Sequence, residues 1–192
     1  MKTFKTAVIA ALAAFTMSSC GYNTMVEKQE SVEAAWSQVE NVYQRRADLI
    51  PNLVATVKGY AAHEEETLTK VVEARSKATG VTIDASNLDE ASLQKFQQAQ
   101  DGLSSALSRL LMVQENYPDL KANEQFRDLQ TQLEGTENRI TVERQKFNDT
   151  ARDYTTYIRQ FPNNIFAGIF GFAAKPYFAA KAGADEAPEV KF

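Results

Sequence analysis

The sequence holds few of the residues on which several classes of function depend. Its 192 residues include one cysteine and one histidine, too few for an intramolecular disulfide or a zinc site rich in histidine. Its 21 basic residues form no cluster and are outnumbered by 25 acidic ones. Because binding to nucleic acid needs clustered cations beside the phosphates, we expect no nucleic-acid partner. Eight glycines and five prolines are also few, which favours long helices.

The N-terminal apolar run is too short to span a bilayer. It covers residues 6–17, about a dozen residues where a membrane helix needs about 20. Two lysines lie before it, and Ser18 and Ser19 follow it directly before Cys20. This layout is typical of a secretory signal peptide. We predict a lipoprotein-type signal peptide over residues 1–19, cleaved before Cys20.

Cleavage at this point makes Cys20 the predicted lipidation site. Each buried methylene of an acyl chain contributes about 0.8 kcal/mol, so two or three chains on one cysteine hold a protein stably on a membrane. Gly21, rather than an aspartate that retains some lipoproteins at the inner membrane, follows Cys20. We expect a membrane-anchored protein that faces the periplasm from the outer membrane. The alternative is an inner-membrane protein with an uncleaved N-terminal anchor.

Regularly spaced apolar residues predict an all-α fold. Two stripes alternate steps of three and four residues, as in a coiled coil. The first contains Leu93, Phe96, Gln100, Leu103, Leu107, Leu110, Gln114 and Tyr117, and the second Phe126, Leu129, Leu133, Thr136, Ile140, Glu143, Phe147, Thr150, Tyr154, Tyr157 and Phe161. Pro118 and Pro162 follow the stripes and end the two helices. Residues 79–89 are predicted to form a loop, with Ser86, Asn87 or Asp89 as the cap of the next helix.

Pro51 leaves the number of helices open. The stripe before it contains Val32, Ala35, Val39, Val42, Arg46 and Leu49, and the stripe after it Ile50, Val54, Val57, Ala61, Glu64, Leu68 and Val71. The two stripes differ in phase by one residue, which indicates a kink or a break at the proline. A break gives four helices, over about residues 24–48, 50–79, 89–117 and 120–161, and a kink gives three. Both alternatives form an elongated antiparallel helical bundle over residues 20–161.

An aromatic C-terminal segment, residues 162–192, follows the bundle. In an up-and-down bundle with an even number of helices, the last helix returns to the end where the first began. That end is the one fixed to the membrane, so Phe166, Phe170 and Phe172 are candidates for membrane contact. The alternative is that these aromatic side chains fold back and cap the open end of the bundle.

Several stretches resemble the LemA family. They are AWSQVENVYQRRADLIPNLVATVKGYAAHEEETL at 35–68, ALSRLLMVQENYPDLKANEQFRDLQTQLEGTENRI at 106–140, FGF at 170–172 and APEVKF at 187–192. The resemblance implies an elongated bundle of the four-helix kind, tethered outside the cytoplasm by its N-terminus, with no catalytic activity. Some relatives organise specialised bacterial membranes, which suggests a scaffold or adaptor for envelope proteins. We therefore expect no catalytic residue and no cofactor.

One acidic cluster offers a different function. His63 is followed by Glu64, Glu65 and Glu66, so that a metal ligand adjoins three carboxylates. Neither the His-Glu-x-x-His motif nor the Glu-x-x-His motif of di-iron bundles is present. A metal-binding or hydrolytic bundle is thus the alternative function, and it requires carboxylates from a second helix that face His63. We favour a solvated acidic face without a metal.

Four charged residues near the stripes are candidates for fixing helix register or for docking a partner: Arg45, Arg46, Glu137 and Arg139. An isolated charge inside a bundle costs several kcal/mol. Arg46 is therefore predicted to pair with Glu137 or Glu143, or to reach solvent along its stem. Trp36, the only tryptophan, is predicted to be a core residue.

Overall fold

The computed structural model describes the backbone of residues 2–179 and the side chains of residues 21–179. Six α-helices follow one another in this part of the chain: α1 (Lys2–Tyr60), α2 (Glu65–Thr79), α3 (Glu90–Met112), α4 (Pro118–Ala122), α5 (Glu124–Arg159) and α6 (Asn163–Phe170). The described backbone contains no β-strand, so the predicted all-α class is confirmed. The side chain of Cys20 and the ending at 187–192 lie outside the described residues.

The long helices pack antiparallel, as predicted. α1 lies along α5 and α2 lies along α3, while α2 also packs on α1. α5 alone has 36 residues and so extends for about 54 Å at 1.5 Å per residue. The bundle is therefore elongated, with its core arranged along the helix axes.

The core consists of two separate hydrophobic clusters. The first cluster includes Met25, Val32, Trp36, Val39, Tyr43, Leu93, Phe96, Ile140, Phe147, Ala151, Tyr154, Ile158 and Phe178. The second includes Ile50, Leu53, Val57, Ala61, Leu68, Val71, Leu103, Leu107, Leu110, Leu120, Phe126, Leu129 and Leu133. Both contain residues of the predicted stripes, and Trp36 is fully buried in the first, which confirms its place in the core.

Of the two alternatives left open at Pro51, a break at the proline is wrong. α1 continues through this proline to Tyr60, and the chain leaves the helix only at residues 61–64. Along α1 the buried positions include Val32, Trp36, Val39, Tyr43, Arg46, Ile50, Leu53 and Val57, which alternate steps of four and three without interruption, and Ala47 is buried beside them. The apparent phase shift arose because the upstream stripe was assigned to Ala35 and Val42, which are only half-buried. A separate α2 still follows, so the bundle has four long helices, as in the four-helix alternative, with the break at residues 61–64.

A second helix compensates for the hydrogen bond that Pro51 cannot make. Proline has no N–H, so the carbonyl of Ala47, four residues earlier, loses its usual intrahelical donor. Arg75 of α2 donates from Nε to this carbonyl oxygen at 2.8 Å. Ala47 is buried whereas Pro51 is exposed, so the proline ring stays outside the core. The proline therefore provides an attachment point for α2 instead of ending α1.

We expect Arg75→Ala to lower the free energy of unfolding by about 1–3 kcal/mol, because it leaves a buried carbonyl without a donor. The same substitution should cost less in a Pro51→Ala background, since an N–H at position 51 then supplies the donor. Urea denaturation of the four proteins measures this coupling. An equal cost in both backgrounds would show that Arg75 stabilises the bundle by packing alone.

The loop predicted at residues 79–89 is confirmed. At its end the Asp89 side chain accepts a hydrogen bond from the Ser92 N–H at 2.7 Å, and the Ser92 hydroxyl accepts one from the Asp89 N–H at 3.2 Å. This capping box starts α3, and its hydrogen bonds lower the pKa of Asp89. α3 ends at Met112, earlier than predicted, and a 3₁₀ turn over Val113–Asn116 leads into α4.

The stripe on α5 changes phase near its end. Thr150 and Tyr157 are half-buried and Phe161 is 81% exposed, whereas Ala151 and Ile158 are buried. A straight helix has 3.6 residues per turn, so a stripe with a strict 3.5-residue period drifts away from the core. The prediction that this stripe keeps its phase as far as Phe161 is therefore wrong.

Candidate functional site

A layer of polar side chains lies between the two hydrophobic clusters. It contains Arg46 of α1, Gln100 and Ser104 of α3, and Thr136 and Glu137 of α5. Arg46, Gln100 and Thr136 are buried, and each occupies a core position of its helix. We call this set the polar layer.

Arg46 is the centre of the polar layer. Its Nη1 donates to Glu137 Oε2 and to Ser104 Oγ, both at 2.9 Å. Its Nη2 donates to the Gln100 side-chain oxygen at 2.6 Å and to the Gln100 carbonyl at 3.3 Å. The guanidinium also lies 5.0 Å from the centre of the Tyr43 ring. One buried cation thus joins α1, α3 and α5.

The polar layer extends to the fourth long helix. The amide of Gln100 donates to the carbonyl of Ala78, near the end of α2, at 3.3 Å. Burial raises the pKa of the neighbouring Tyr43 hydroxyl, although the positive charges of Arg144 and Arg46 act in the opposite direction. Four hydrogen bonds from Nη1 and Nη2 hold this charge in place, while the buried Nε has no hydrogen-bond partner among the described residues. Such an arrangement suits a structural layer that fixes the register of the helices.

Two of the four charged candidates are absent from this layer. Arg46 pairs with Glu137, one of the two carboxylates proposed for it, whereas Glu143 pairs with Lys146 at 2.8 Å. Arg45 and Arg139 are exposed on the outside of the bundle. Sequence adjacency placed them beside the stripes, but a step of one residue turns a helical side chain by about 100° and moves it to another face.

Arg46→Ala is expected to lower the free energy of unfolding by about 2–4 kcal/mol, because it leaves the partners of the guanidinium unsatisfied. This loss of stability is smaller than the largest losses found for broken buried ion pairs, because the Glu137 side chain is 43% exposed and water reaches it. Arg45→Ala is the matched control and should change stability by less than about 0.5 kcal/mol. Urea denaturation compares the two, and equal losses would contradict a structural role for the layer.

An open groove of about 290 Å³ runs beside the polar layer between α3 and α5. Its lining is apolar on both sides, from Leu107 and Leu111 of α3 and Leu133 of α5, and Arg46 and Glu137 border it. Arg46 and Glu137 bond to each other, and Glu134, which also lines the groove, accepts a hydrogen bond from Gln130 at 3.0 Å. The groove therefore offers apolar contact beside the polar groups of Ser104, Ser108 and Glu134.

The acidic cluster does not form a metal site. His63 is exposed in the turn between α1 and α2, so it does not share a helix with Glu66 as the sequence suggested. Glu64 accepts a hydrogen bond from the Tyr117 hydroxyl at 3.2 Å, and Glu66 forms an ion pair with Lys70. Among the side chains of residues 21–179, no group of three or more histidines, cysteines, aspartates or glutamates is placed to hold a metal ion.

The C-terminal segment returns to the beginning of the bundle, as the up-and-down topology required. α6 packs against both α1 and α5. The ring of Tyr22 meets the rings of Phe170 and Phe172 edge to face, with centroids 5.0 and 5.7 Å apart. α6 therefore lies beside Gly21 and Tyr22, directly after the predicted lipidation site.

The three aromatic candidates in this segment face different surroundings. Phe166 and Phe172 are half-buried against the first cluster, which agrees with aromatic side chains that cap the bundle. Phe170 is 55% exposed. Ile165 and Ile169 of the same segment are 52% and 68% exposed. Their spacing of four residues places both side chains on one helical face.

Within the described part of the chain, no helix has the length and apolar character needed to cross a membrane. The apolar residues exposed on α6 form a short face on one helix of eight residues. Contact at the surface of a bilayer is the mode of membrane binding that such a helix permits.

Comparison with known proteins gives one family. A sequence model of the LemA family matches residues 35–192. Magnetosome protein MamQ 2 of Paramagnetospirillum magneticum is 28% identical over 197 residues, which cover 93% of this chain and 71% of that protein. MamQ of Magnetospirillum gryphiswaldense is 27% identical over 196 residues, at 93% and 72% coverage. Protein LemA of Metamycoplasma hominis is 26% identical over 145 residues, at 76% and 63% coverage.

Proposed function

The chain belongs to the LemA family, and from this membership and the position of α6 we propose a non-enzymatic, membrane-tethered helical scaffold of the cell envelope. The observation that carries the proposal is the exposed apolar face of α6 beside Tyr22. It gives the bundle a second contact with lipid next to the predicted acyl anchor on Cys20. Its location is the periplasmic side of the outer membrane, with the inner membrane as the alternative.

The α6 face has the composition of a membrane-surface contact. Ile165 and Ile169 are more than half exposed, while Ala167 on the opposite side of the same helix is buried in the bundle, and Phe170, at the edge of the face, is 55% exposed. Apolar side chains concentrated on one exposed face of a helix are unfavourable in water. Their transfer to the boundary of the acyl chains lowers the free energy. Because Tyr22 meets Phe170 of α6, a tether at Cys20 brings this helix to the lipid surface.

The scaffold part of the proposal is supported by the shape of the bundle and by its relatives. The helices extend for about 54 Å from the end that holds α6. The buried charge of the bundle is engaged in the polar layer, which is consistent with a structural and not a catalytic use. Relatives named as magnetosome proteins suggest that members of this family work within specialised assemblies.

Intact-protein mass spectrometry of membrane fractions tests the tether. We expect a mass that begins at Cys20 and carries acyl chains, because the signal layout directs cleavage there. Cys20→Ala should abolish the acylated species. A wild-type mass that begins at Met1 would contradict the lipoprotein and leave an uncleaved N-terminal anchor.

Vesicle binding tests the α6 face in the chain that begins at Gly21, whose described core starts at Met25. We expect Ile165→Asp/Ile169→Asp to reduce the fraction bound to phosphatidylethanolamine and phosphatidylglycerol vesicles at least tenfold. The reason is that each isoleucine loses about 1.5–3 kcal/mol of apolar burial. Cosedimentation with the vesicles is the measurement.

The matched control for this experiment is Met112→Asp/Val142→Asp. It makes the same change of charge at two exposed apolar residues of α3 and α5, which are 62% and 49% exposed. We expect this control to bind vesicles as the unmodified chain does. If both double variants lose binding equally, general charge repulsion explains the result and the α6 face is not a lipid contact.

A further inference from the structure

After α6 the chain lies on the bundle as an extended strap, residues 172–179, which has no helical or strand structure. The strap begins after Gly171, whose φ of 77° is in the left-handed region that glycine adopts without strain. This single residue turns the chain from α6 towards the first cluster. We call the surface that receives it the strap groove.

The strap groove holds the main chain of the strap by side chains. The Asn148 side chain accepts a hydrogen bond from the Phe178 N–H at 2.8 Å and donates one to the Phe178 carbonyl at 3.1 Å. Arg144 and Gln97 donate to the next carbonyl, that of Ala179, at 3.0 and 3.3 Å. Such main-chain bonds hold any extended peptide in a fixed register, whatever its side chains, as in strand-addition recognition.

One deep aromatic pocket selects a side chain of the strap. Phe178 is 5% exposed and stacks on Trp36, with ring centroids 5.9 Å apart and an interplanar angle of 17°. Phe147 meets it edge to face at 5.5 Å, and the Arg144 guanidinium lies 4.6 Å from its ring centre. The pocket thus surrounds a phenyl ring with two aromatic faces and a cation.

A second selective contact lies three residues earlier. Lys175 is 8% exposed, and its ammonium group donates to the carbonyls of Ser86 and Ala85 at 2.8 and 3.4 Å. Between the two anchors Tyr177 is exposed and Pro176 is half-buried, and before them Ala173 and Ala174 are exposed. Phe172, at the start of the strap, is half-buried beside Tyr22. The strap is therefore anchored at Lys175 and Phe178 in a Lys-x-x-Phe pattern.

We propose that the strap groove is a peptide-recognition site, occupied here in cis, and that an extended Lys-x-x-Phe segment of a partner protein binds it in place of the strap. The proposal deepens the scaffold function by naming the chemistry of its partner. A main-chain clamp, one aromatic pocket and one ammonium hook are features of a peptide site. The strap joins α6 through Gly171 and is itself not helical, so its release from the groove opens no helix and uncovers Trp36 and Phe147 of the first cluster.

Because the strap occupies the groove in cis, it lowers the apparent affinity of the groove for a free peptide. A tethered segment has a high effective concentration, in the millimolar range for a short flexible connection. The apparent affinity of a free peptide falls by the fraction of molecules in which the groove is empty. Weakening the strap should therefore strengthen binding of the free peptide.

The experiment uses the full chain in detergent and a fluorescent peptide with the sequence of residues 172–179, FAAKPYFA. We expect Phe178→Ala, which removes the anchor of the strap, to bind this peptide at least tenfold more tightly than the wild type by fluorescence polarisation. Lys175→Ala keeps Phe178 in the core, so its affinity for the peptide should also increase, but by less than that of Phe178→Ala. Circular dichroism establishes that both variants are folded.

Two controls test the contacts themselves. A peptide with alanine in place of its second phenylalanine should lose at least tenfold in affinity for the Phe178→Ala chain. Asn148→Ala in that chain should weaken binding similarly, because it removes the main-chain clamp. Trp36, as the only tryptophan, reports directly on the pocket, so its fluorescence should change when the peptide binds.

Three results would overturn the proposal. The first is that the peptide binds the wild type and both strap variants with equal affinity, and the second is that its affinity does not depend on its second phenylalanine. The third is that differently tagged wild-type chains exchange their straps with one another and that added peptide does not compete with this exchange. The last result would assign the groove to a second copy of this chain. Since no vesicle is present, the outcome is independent of whether α6 binds lipid.

Discussion

The buried guanidinium of Arg46 is the constraint around which the bundle is arranged. A cation in the core is stable only when fixed acceptors surround it, so Glu137, Ser104 and Gln100 must all reach one point. That point sets the heights of α1, α3 and α5 relative to one another, and the bond from Gln100 to Ala78 adds α2. Two apolar clusters alone would tolerate a shift by one turn. The polar layer between them does not, because any such shift leaves a buried charge without partners.

The functional surfaces follow from this fixed bundle. Since α1 and α5 are antiparallel, the end of α5 lies beside the part of α1 that contains Lys28, and α6 therefore meets Tyr22. The same topology directs residues 172–179 back over the first cluster, where Trp36 and Phe147 enclose Phe178. The proposed lipid contact and the proposed peptide site thus occupy adjacent parts of the bundle. The helices supply rigid positions for both surfaces, and Gly171 separates them.

Patterns that repeat along a helix predicted the structure accurately, whereas features that depend on a single residue were predicted poorly. The stripes on α3 and most of α5 gave their helices correctly, because many positions average out an error at any one of them. Pro51 was judged by its local cost, yet Arg75, distant in sequence, supplies the missing donor. On α1 the large aromatic side chains of Trp36 and Tyr43 mark the buried face. Smaller apolar residues next to them in sequence led to the stripe being assigned to the wrong positions. Exposed Ile165 and Ile169 show the reverse case, apolar residues outside the core.

The sequence by itself determined the all-α class, the burial of Trp36, the loop at residues 79–89, the pairing of Arg46 with a carboxylate and the family. Each depends on local periodicity, composition or a contiguous motif. Only the tertiary structure decided that α1 passes through Pro51, that the polar layer joins all four long helices, and that Asn148 clamps residue 178. These depend on partners that are far apart in sequence. Their contacts exist only after the helices pack, so no local pattern specifies them.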